Sequence, residues 1–211
     1  MMMSRNRSKW HQKNWVTLGD SISATGVFQA LMNKEIEFGD IENKAYSGGS
    51  MTGPDASSTT VIGKSIDYAC VDIVTIFAGT NDFKLNRTLG IIGSVFDTTF
   101  DTNTFYGAYR SLLDYIIASN PNTRIYLWTP LHRDNAGYTI ESTNTAGHKL
   151  IDYVEAIRQI AVMYSLPVLD LYNNSGINTK NLSTYTNDGL HPNNKGYERI
   201  AELAIPFINN Y

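Results

Sequence analysis

Apolar positions change period several times along the chain, and each change marks an element. Asn14–Leu18 is a short apolar run entering a Gly-Asp-Ser turn, and predicts a first strand. Over Ala24–Glu37 the apolar residues fall at Val27, Phe28, Leu31, Met32 and Ile36, the spacing of one helix face. Gly39 and Asp40 break that helix, and Ile41–Ala45 predicts a short second strand. A Gly/Ser/Thr-rich stretch from Ser47 to Thr60 reads as a loop leading into a weaker helix around Val61–Ala69. Asp72–Phe77 is β-branched and strand-like, and runs straight into Ala78-Gly79-Thr80-Asn81-Asp82. From Phe83 to Asn103 no period is visible. An irregular connection of that length is often functional, and pocket wall, lid and oligomer contact all stay open for residues 83–103.

The second half continues the alternation. Thr104–Ser119 is a helix with Tyr109, Leu112, Leu113 and Ile116 on one face, stopped by Asn120-Pro121. Arg124–Thr129 is a fourth strand, Asn144–Ser165 a long helix, Leu166–Leu171 a fifth strand and Asn194–Ile208 the closing helix. Strands alternating with helices of this length predict an α/β fold, with a parallel sheet covered on both faces. Such sheets bind ligands beyond the carboxyl ends of their strands, at the switch point. Ser21, Gly48 and Asn81 each follow a proposed strand at that edge.

With 211 residues the chain is long enough for one well-buried core and short for two, so residues 14–211 are expected to form a single domain after an N-terminal arm at 1–13. A net charge of −3 gives no electrostatic case for nucleic acid or an anionic membrane. The basic residues Arg5, Arg7, Lys9 and Lys13 read as a solvated part of the arm. No apolar stretch approaches the roughly 20 residues that span a bilayer. The N-terminus shows no apolar h-region, so a cytoplasmic chain, or a virion-associated or excised domain, is expected. Cys70 has no partner for an internal disulfide and reads as a small core residue ahead of a strand.

Candidate chemistry sits at the two ends. Ser21 lies just past the first strand, and Asp188-Gly189-Leu190-His191-Pro192 lies near the C-terminus. A serine hydroxyl needs a neighbouring base to become a nucleophile. His191 can take that proton and return it to a leaving group. Asp188, at i−3, can reach the far ring nitrogen if the segment turns, and Pro192 stiffens the exit. The plain alternative for His191 is a capping role ahead of the last helix. Acyl transfer also needs donors aimed at the developing oxyanion. The Gly48 N–H, the Asn81 side-chain amide and the Ser21 N–H are the candidates; singly, Gly48 and Asn81 also read as ordinary loop residues.

Three other motifs compete. Ala45-Tyr46-Ser47-Gly48-Gly49 fits a variant nucleophile elbow with Ser47 as nucleophile, but the run before it is poorly apolar. Gly63-Lys64-Ser65 looks like the end of a phosphate-binding loop, but Ser58 occupies the required first glycine position. His11, His132, His148 and His191 show no paired spacing with Cys or carboxylates, so no metal site is expected.

Gly19-Asp20-Ser21, Ser47-Gly48-Gly49, Gly79-Thr80-Asn81-Asp82 and Asp188-Gly189-Leu190-His191-Pro192, in that order, resemble the blocks of the SGNH hydrolases, the GDSL-like esterase and lipase family. The resemblance runs from about Trp15 to Ile208. It implies a flavodoxin-like three-layer α/β/α sandwich on a five-stranded parallel sheet, with no metal or organic cofactor. It also implies Ser21 as nucleophile, His191 as base, Asp188 as its orienter, and Ser21, Gly48 and Asn81 as the oxyanion hole. Asp20 and Asp82 match positions that brace such a site by hydrogen bonding. Ile22 stands where the family's name would have leucine.

Thr104-Phe105-Tyr106-Gly107-Ala108, Thr129-Pro130-Leu131, Ile151–Ile157 and Leu169-Asp170-Leu171-Tyr172 are similar to a subgroup from Gram-positive bacteria and their phages. That likeness implies an esterase for small acyl groups, including acetyl groups on saccharides. The expected partner is therefore a small-molecule or saccharide ester, with homo-oligomer formation left open. The alternatives are a lipase or thioesterase for longer chains, and a non-catalytic saccharide-binding or virion domain.

Overall fold

In the computed structural model residues 7–211 are described, so Met1–Asn6, with Arg5 of the expected arm, lie outside the described residues. In chain order the elements are β1 (Trp15–Gly19), α1 (Ser21–Ala24), α2 (Val27–Ile36), β2 (Ile41–Asn43), α3 (Thr59–Lys64), β3 (Ile73–Phe77), α4 (Thr80–Lys84), α5 (Phe105–Ser119), β4 (Arg124–Trp128), β5 (Asp134–Asn135), β6 (Tyr138–Thr139), α6 (Leu150–Tyr164), β7 (Val168–Leu169), α7 (Leu171–Asn174), α8 (Leu182–Tyr185) and α9 (Asn194–Asn210). The main sheet has five strands in the order β2-β1-β3-β4-β7, every neighbouring pair parallel. This is the expected α/β sandwich with its five-stranded parallel sheet.

Side chains alternate between two apolar layers, as a strand buried on both faces requires. Val16, Leu18, Val74, Ile76, Ile125 and Leu127 pack with Tyr109, Leu112 and Leu113 of α5 and with Ile157 and Ile160 of α6. Trp15, Ile73, Phe77, Tyr126 and Trp128 pack on the opposite side with Phe28 and Met32 of α2 and Ile200 and Ala204 of α9. Within the stretch expected as an arm, Trp10 is buried and donates from Nε1 to Ile208 O at 2.7 Å. Among the described residues no helix is long and apolar enough to cross a membrane.

Register fixes where the site opens. Gly19 pairs with Phe77, so β1 and β3 end level and the segments after them leave the sheet side by side. A Cβ on Gly19 would stand 2.4 Å from Phe77 O, so only glycine permits this approach. The order β2-β1-β3 reverses direction of winding at β1, which makes this edge the switch point.

Several expected boundaries move, each for a local reason. The helix expected over Asn144–Ser165 begins at Leu150, because Asn144 is buried and committed elsewhere. Its Nδ2 donates to Phe83 O and Tyr153 Oη, and its Oδ1 accepts from the His148 N–H. The Lys149 N–H then donates to Asp152 Oδ2 at 2.7 Å and starts the helix. The strand expected over Leu166–Leu171 shortens to Val168–Leu169, since Asp170 Oδ1 accepts from the Asn173 N–H and opens α7. Cys70, expected in the core, is exposed. The irregular stretch expected from Phe83 starts later: Phe83 is fully buried in α4, and residues 85–103 beyond it contain no helix or strand. Within that loop Ile91 and Phe96 are exposed, while buried Arg110 donates to Ile92 O, Ser94 O and Asp97.

Candidate active site

Ser21 is the first residue of α1, immediately beyond β1. Asp20 caps that helix: its Oδ1 accepts from the Ile22 N–H at 2.9 Å, while the Ser21 N–H donates to no acceptor among the described residues. Ser21 Oγ lies 2.9 Å from His191 Nε2. His191 Nδ1 lies 2.7 Å from Asp188 Oδ2. The other oxygen, Asp188 Oδ1, accepts from the Leu190 N–H at 3.0 Å and the His191 N–H at 2.8 Å. A hydroxyl, an imidazole and a carboxylate 170 and 3 residues apart in sequence thus form one hydrogen-bonded line.

Burial pushes the Asp188 carboxyl up, but the hydrogen bonds from His191 Nδ1 and the two backbone N–H groups outweigh it and hold it below the ordinary range. The turn is tight. Gly189 has φ +81°, and a Cβ there would stand 2.0 Å from Asp134 O. The Asp134 N–H donates to Gly189 O at 2.8 Å, and Asn135 Nδ2 donates to Asp188 O at 2.9 Å. The β5–β6 hairpin is therefore the seat of the Asp188 turn.

Gly48 and Asn81 are brought to the same edge. The Tyr46 N–H donates to Gly19 O at 3.0 Å, which fixes the Gly48 loop beside the end of β1. Asn81 Nδ2 donates to Gly49 O at 2.9 Å, using one of its two N–H groups and leaving the second. The Gly48 N–H, like that of Ser21, donates to no acceptor among the described residues. Asp82, fully buried, accepts from the Met51 N–H at 2.8 Å and the Thr52 N–H at 3.1 Å, tying the same loop to α4. Its carboxyl is pushed up by burial, against the pull of those two donors.

Asp20 is the second buried carboxyl. Burial pushes it up to about 7, against the Ile22 N–H, His191 and Arg133, with Asp82 adding to the rise. Unfolded, the group ionises near the ordinary 3.8, so folding demands proton uptake between that value and about 7. The raised carboxyl favours the folded state at low pH, and this contribution is lost as pH rises through 7. Asp20→Asn keeps an oxygen for the Ile22 N–H and removes the titration. Relative to the parent, the variant is expected to gain on the order of a few kcal/mol between pH 4 and pH 8. Urea unfolding of both proteins across that range measures it. A stability difference that stays constant with pH would mean Asp20 ionises normally in the fold.

Sequence reading missed Arg133, a wholly buried guanidinium. Its Nη1 donates to Thr80 O at 3.0 Å and Thr80 Oγ1 at 2.9 Å. No motif announces it, since an arginine in a polar loop normally reads as surface.

The space beside Ser21 Oγ is a cleft of about 840 Å³. Its walls carry Thr25, Ser47, Ser183, Thr184, Asn187, Asn193, Asn194 and Lys195, together with Pro192 and Tyr197.

A sequence model of the GDSL-like lipase/acylhydrolase family matches residues 17–199. No curated protein matches the chain. Among solved structures, a protein from Lactobacillus plantarum is 26% identical with a TM-score of 0.83, the match covering 95% of this chain and 98% of that one. A lipase/acylhydrolase from Enterococcus faecalis is 20% identical with a TM-score of 0.63, covering 94% and 96%. A protein from Chitinophaga pinensis described as a possible lipase is 21% identical with a TM-score of 0.70, covering 93% and 98%. At those last two identities the likeness bears on the fold alone.

Proposed function

The chain belongs to the GDSL-like lipase/acylhydrolase family and is a carboxylic ester hydrolase by that membership; we propose that it cleaves short acyl esters, O-acetyl groups on saccharides above all, through an acyl-Ser21 intermediate. The observation that carries the substrate class is the cleft. A long acyl chain laid along it would desolvate the hydroxyls of Ser183 and Thr184 and the amide of Asn187 without replacing their hydrogen bonds. A saccharide hydroxyl replaces them. The lipase reading wants an apolar channel, and this wall favours a polar alcohol.

The reaction follows from the line of hydrogen bonds. Ser21 Oγ attacks the ester carbonyl while His191 Nε2 takes its proton, and Asp188 Oδ2 holds Nδ1–H so that Nε2 is free to accept. Charge then develops on the carbonyl oxygen, where the Ser21 N–H, the Gly48 N–H and the free Asn81 N–H serve as donors. Collapse breaks the ester C–O bond, and His191 gives its proton to the departing alkoxide. Water repeats the sequence on the acyl-serine and releases the carboxylic acid. Asp20 and Asp82 hold the frame: one caps the helix that starts at Ser21, the other ties the Gly48 loop to α4.

Initial rates on p-nitrophenyl acetate, butyrate, octanoate and palmitate test the chain-length part of the reading. Turnover is expected to fall from acetate and butyrate to a small fraction on palmitate, and acetylated saccharides are then expected to release acetate. Rates that rise toward octanoate would support the lipase or thioesterase reading instead. Glycan binding with no turnover on any ester would favour a non-catalytic saccharide-binding domain.

A further inference from the structure

Arg133 has no place in the reaction as written, yet it occupies one of the most protected positions in the molecule. Burying a guanidinium costs heavily unless its donors are satisfied. Among the described residues no carboxylate lies within ion-pair distance of Arg133. Burial pulls its pKa down against the longer-range fields of Asp20, Tyr138 and Asp188. Its two short bonds go to Thr80, by backbone and side-chain oxygen at once; Nη2 donates to Asn135 O at 3.5 Å, and Nε has no partner among the described residues.

Thr80 is the residue before Asn81, at the start of a five-residue helix whose N-cap, Gly79, offers no side-chain bond. So short a helix has little cooperativity of its own to keep its first turn in place. The guanidinium also lies 5.9 Å from the Phe83 ring of the same helix and 5.8 Å from the Tyr138 ring of β6. On the other side, the backbone that carries Arg133 continues at once into Asp134 and Asn135, which hold Gly189 O and Asp188 O. One residue thus joins the helix bearing Asn81 to the hairpin that seats the Asp188 turn.

We infer that Arg133 is a positioning residue: by gripping Thr80 from the hairpin that seats Asp188, it holds the Asn81 amide in register across the cleft from the His191–Asp188 pair, which Asp134 and Asn135 seat by their own contacts. The inference rests on the reading of Asn81 as an oxyanion donor. Arg133 touches no reacting atom, so it acts on the transition state only through Asn81. Its loss therefore appears in kcat and spares KM, because a ground-state ester makes little use of the oxyanion donors.

A double-mutant cycle on p-nitrophenyl acetate tests this, run well below the lowest unfolding midpoint of the set. Arg133→Met is expected to lower kcat about 10- to 100-fold with KM within about twofold. Arg133→Lys, which keeps a charge and donors for Thr80, is expected to recover part of that loss. Asn81→Ala alone is expected to cut kcat far more than affinity. In the Asn81→Ala background Arg133→Met should cost no more than about threefold, because its route is already removed. If Arg133→Met does not fold, Thr80→Val carries the same cycle, removing only the Oγ1 acceptor while keeping the shape. An Asn81 effect combined with an equal Arg133 effect in both backgrounds overturns the inference alone. Full kcat in Asn81→Ala overturns the oxyanion reading, and the inference with it.

Discussion

Ser21→Ala is expected to lower turnover at least about a thousandfold on p-nitrophenyl acetate while leaving the fold intact. The hydroxyl makes one hydrogen bond, to His191 Nε2, so its removal takes nothing from the apolar layers. The cap of α1 belongs to Asp20 and the Ile22 N–H, and the serine hydroxyl plays no part in it. The unfolding midpoint should therefore stay close to that of the parent. What survives in the variant is the set of oxyanion donors and the cleft, which can still assist attack by water, so the rate should stay above the uncatalysed one. Near-normal turnover with an unchanged midpoint would sink the acyl-Ser21 mechanism. Ser47 lines the same cleft and is the rival nucleophile. A thousandfold loss in Ser47→Ala, with Ser21→Ala active, would move the nucleophile there.

The parts of the fold that were legible in the sequence are those where a single period runs long enough to be read. Trp15–Gly19, Ile73–Phe77 and Arg124–Trp128 are strands within a residue or two of expectation, because central parallel strands are near-continuous apolar runs. The helices at Phe105–Ser119 and Asn194–Asn210 also begin where expected, Thr104 and Asn193 each accepting a backbone N–H from the first turn. The β5–β6 hairpin was not legible. Its turn places Ala136 and Gly137 at φ +53° and +79°, and alanine at the first of these carries none of the usual signal of such a turn. Its two-residue strands are too short to show a period. The late start of α6 was hidden because Asn144 is fixed by contacts with Phe83 and Tyr153, which no local pattern records.

For the site, sequence supplied the residues whose chemistry is rare and whose spacing is short. Asp188 and His191 are three apart, and one turn brings them into contact. The meeting of that pair with Ser21 depends on the strand order β2-β1-β3-β4-β7, which alternation of elements implies only in outline. Arg133 lay beyond reach for the same reason that makes it of interest. Its partners are Thr80, the Asn135 carbonyl and the Tyr138 and Phe83 rings, and its burial is a property of tertiary packing alone.

Asp188→Asn should be the second severe loss, about ten-thousandfold in kcat, although the substitution changes almost no volume. Asp188 serves two masters: Oδ1 accepts from two backbone N–H groups of its own turn, and Oδ2 accepts from His191 Nδ1. Asparagine has a single oxygen. If that oxygen stays with the backbone donors, the amide NH2 faces Nδ1 and forces the ring to accept there. The proton then sits on Nε2, the nitrogen that must be bare to take a proton from Ser21 Oγ. If the amide flips to keep Nδ1–H, the NH2 meets two backbone N–H groups and the turn opens instead. Asp188→Ala separates the two routes, since it removes the orienter without imposing a donor on Nδ1. It should therefore retain more activity than Asp188→Asn if tautomer inversion is the dominant fault. Nitrogen-15 shifts of the His191 ring read the tautomer directly in each variant. Protonation moved from Nδ1 to Nε2 in Asp188→Asn, with folding preserved and turnover lost, is the expected pattern. An Asp188→Asn enzyme within tenfold of the parent would mean that His191 keeps Nε2 free unaided, leaving Asp188 as an anchor of the 188–191 turn and nothing more.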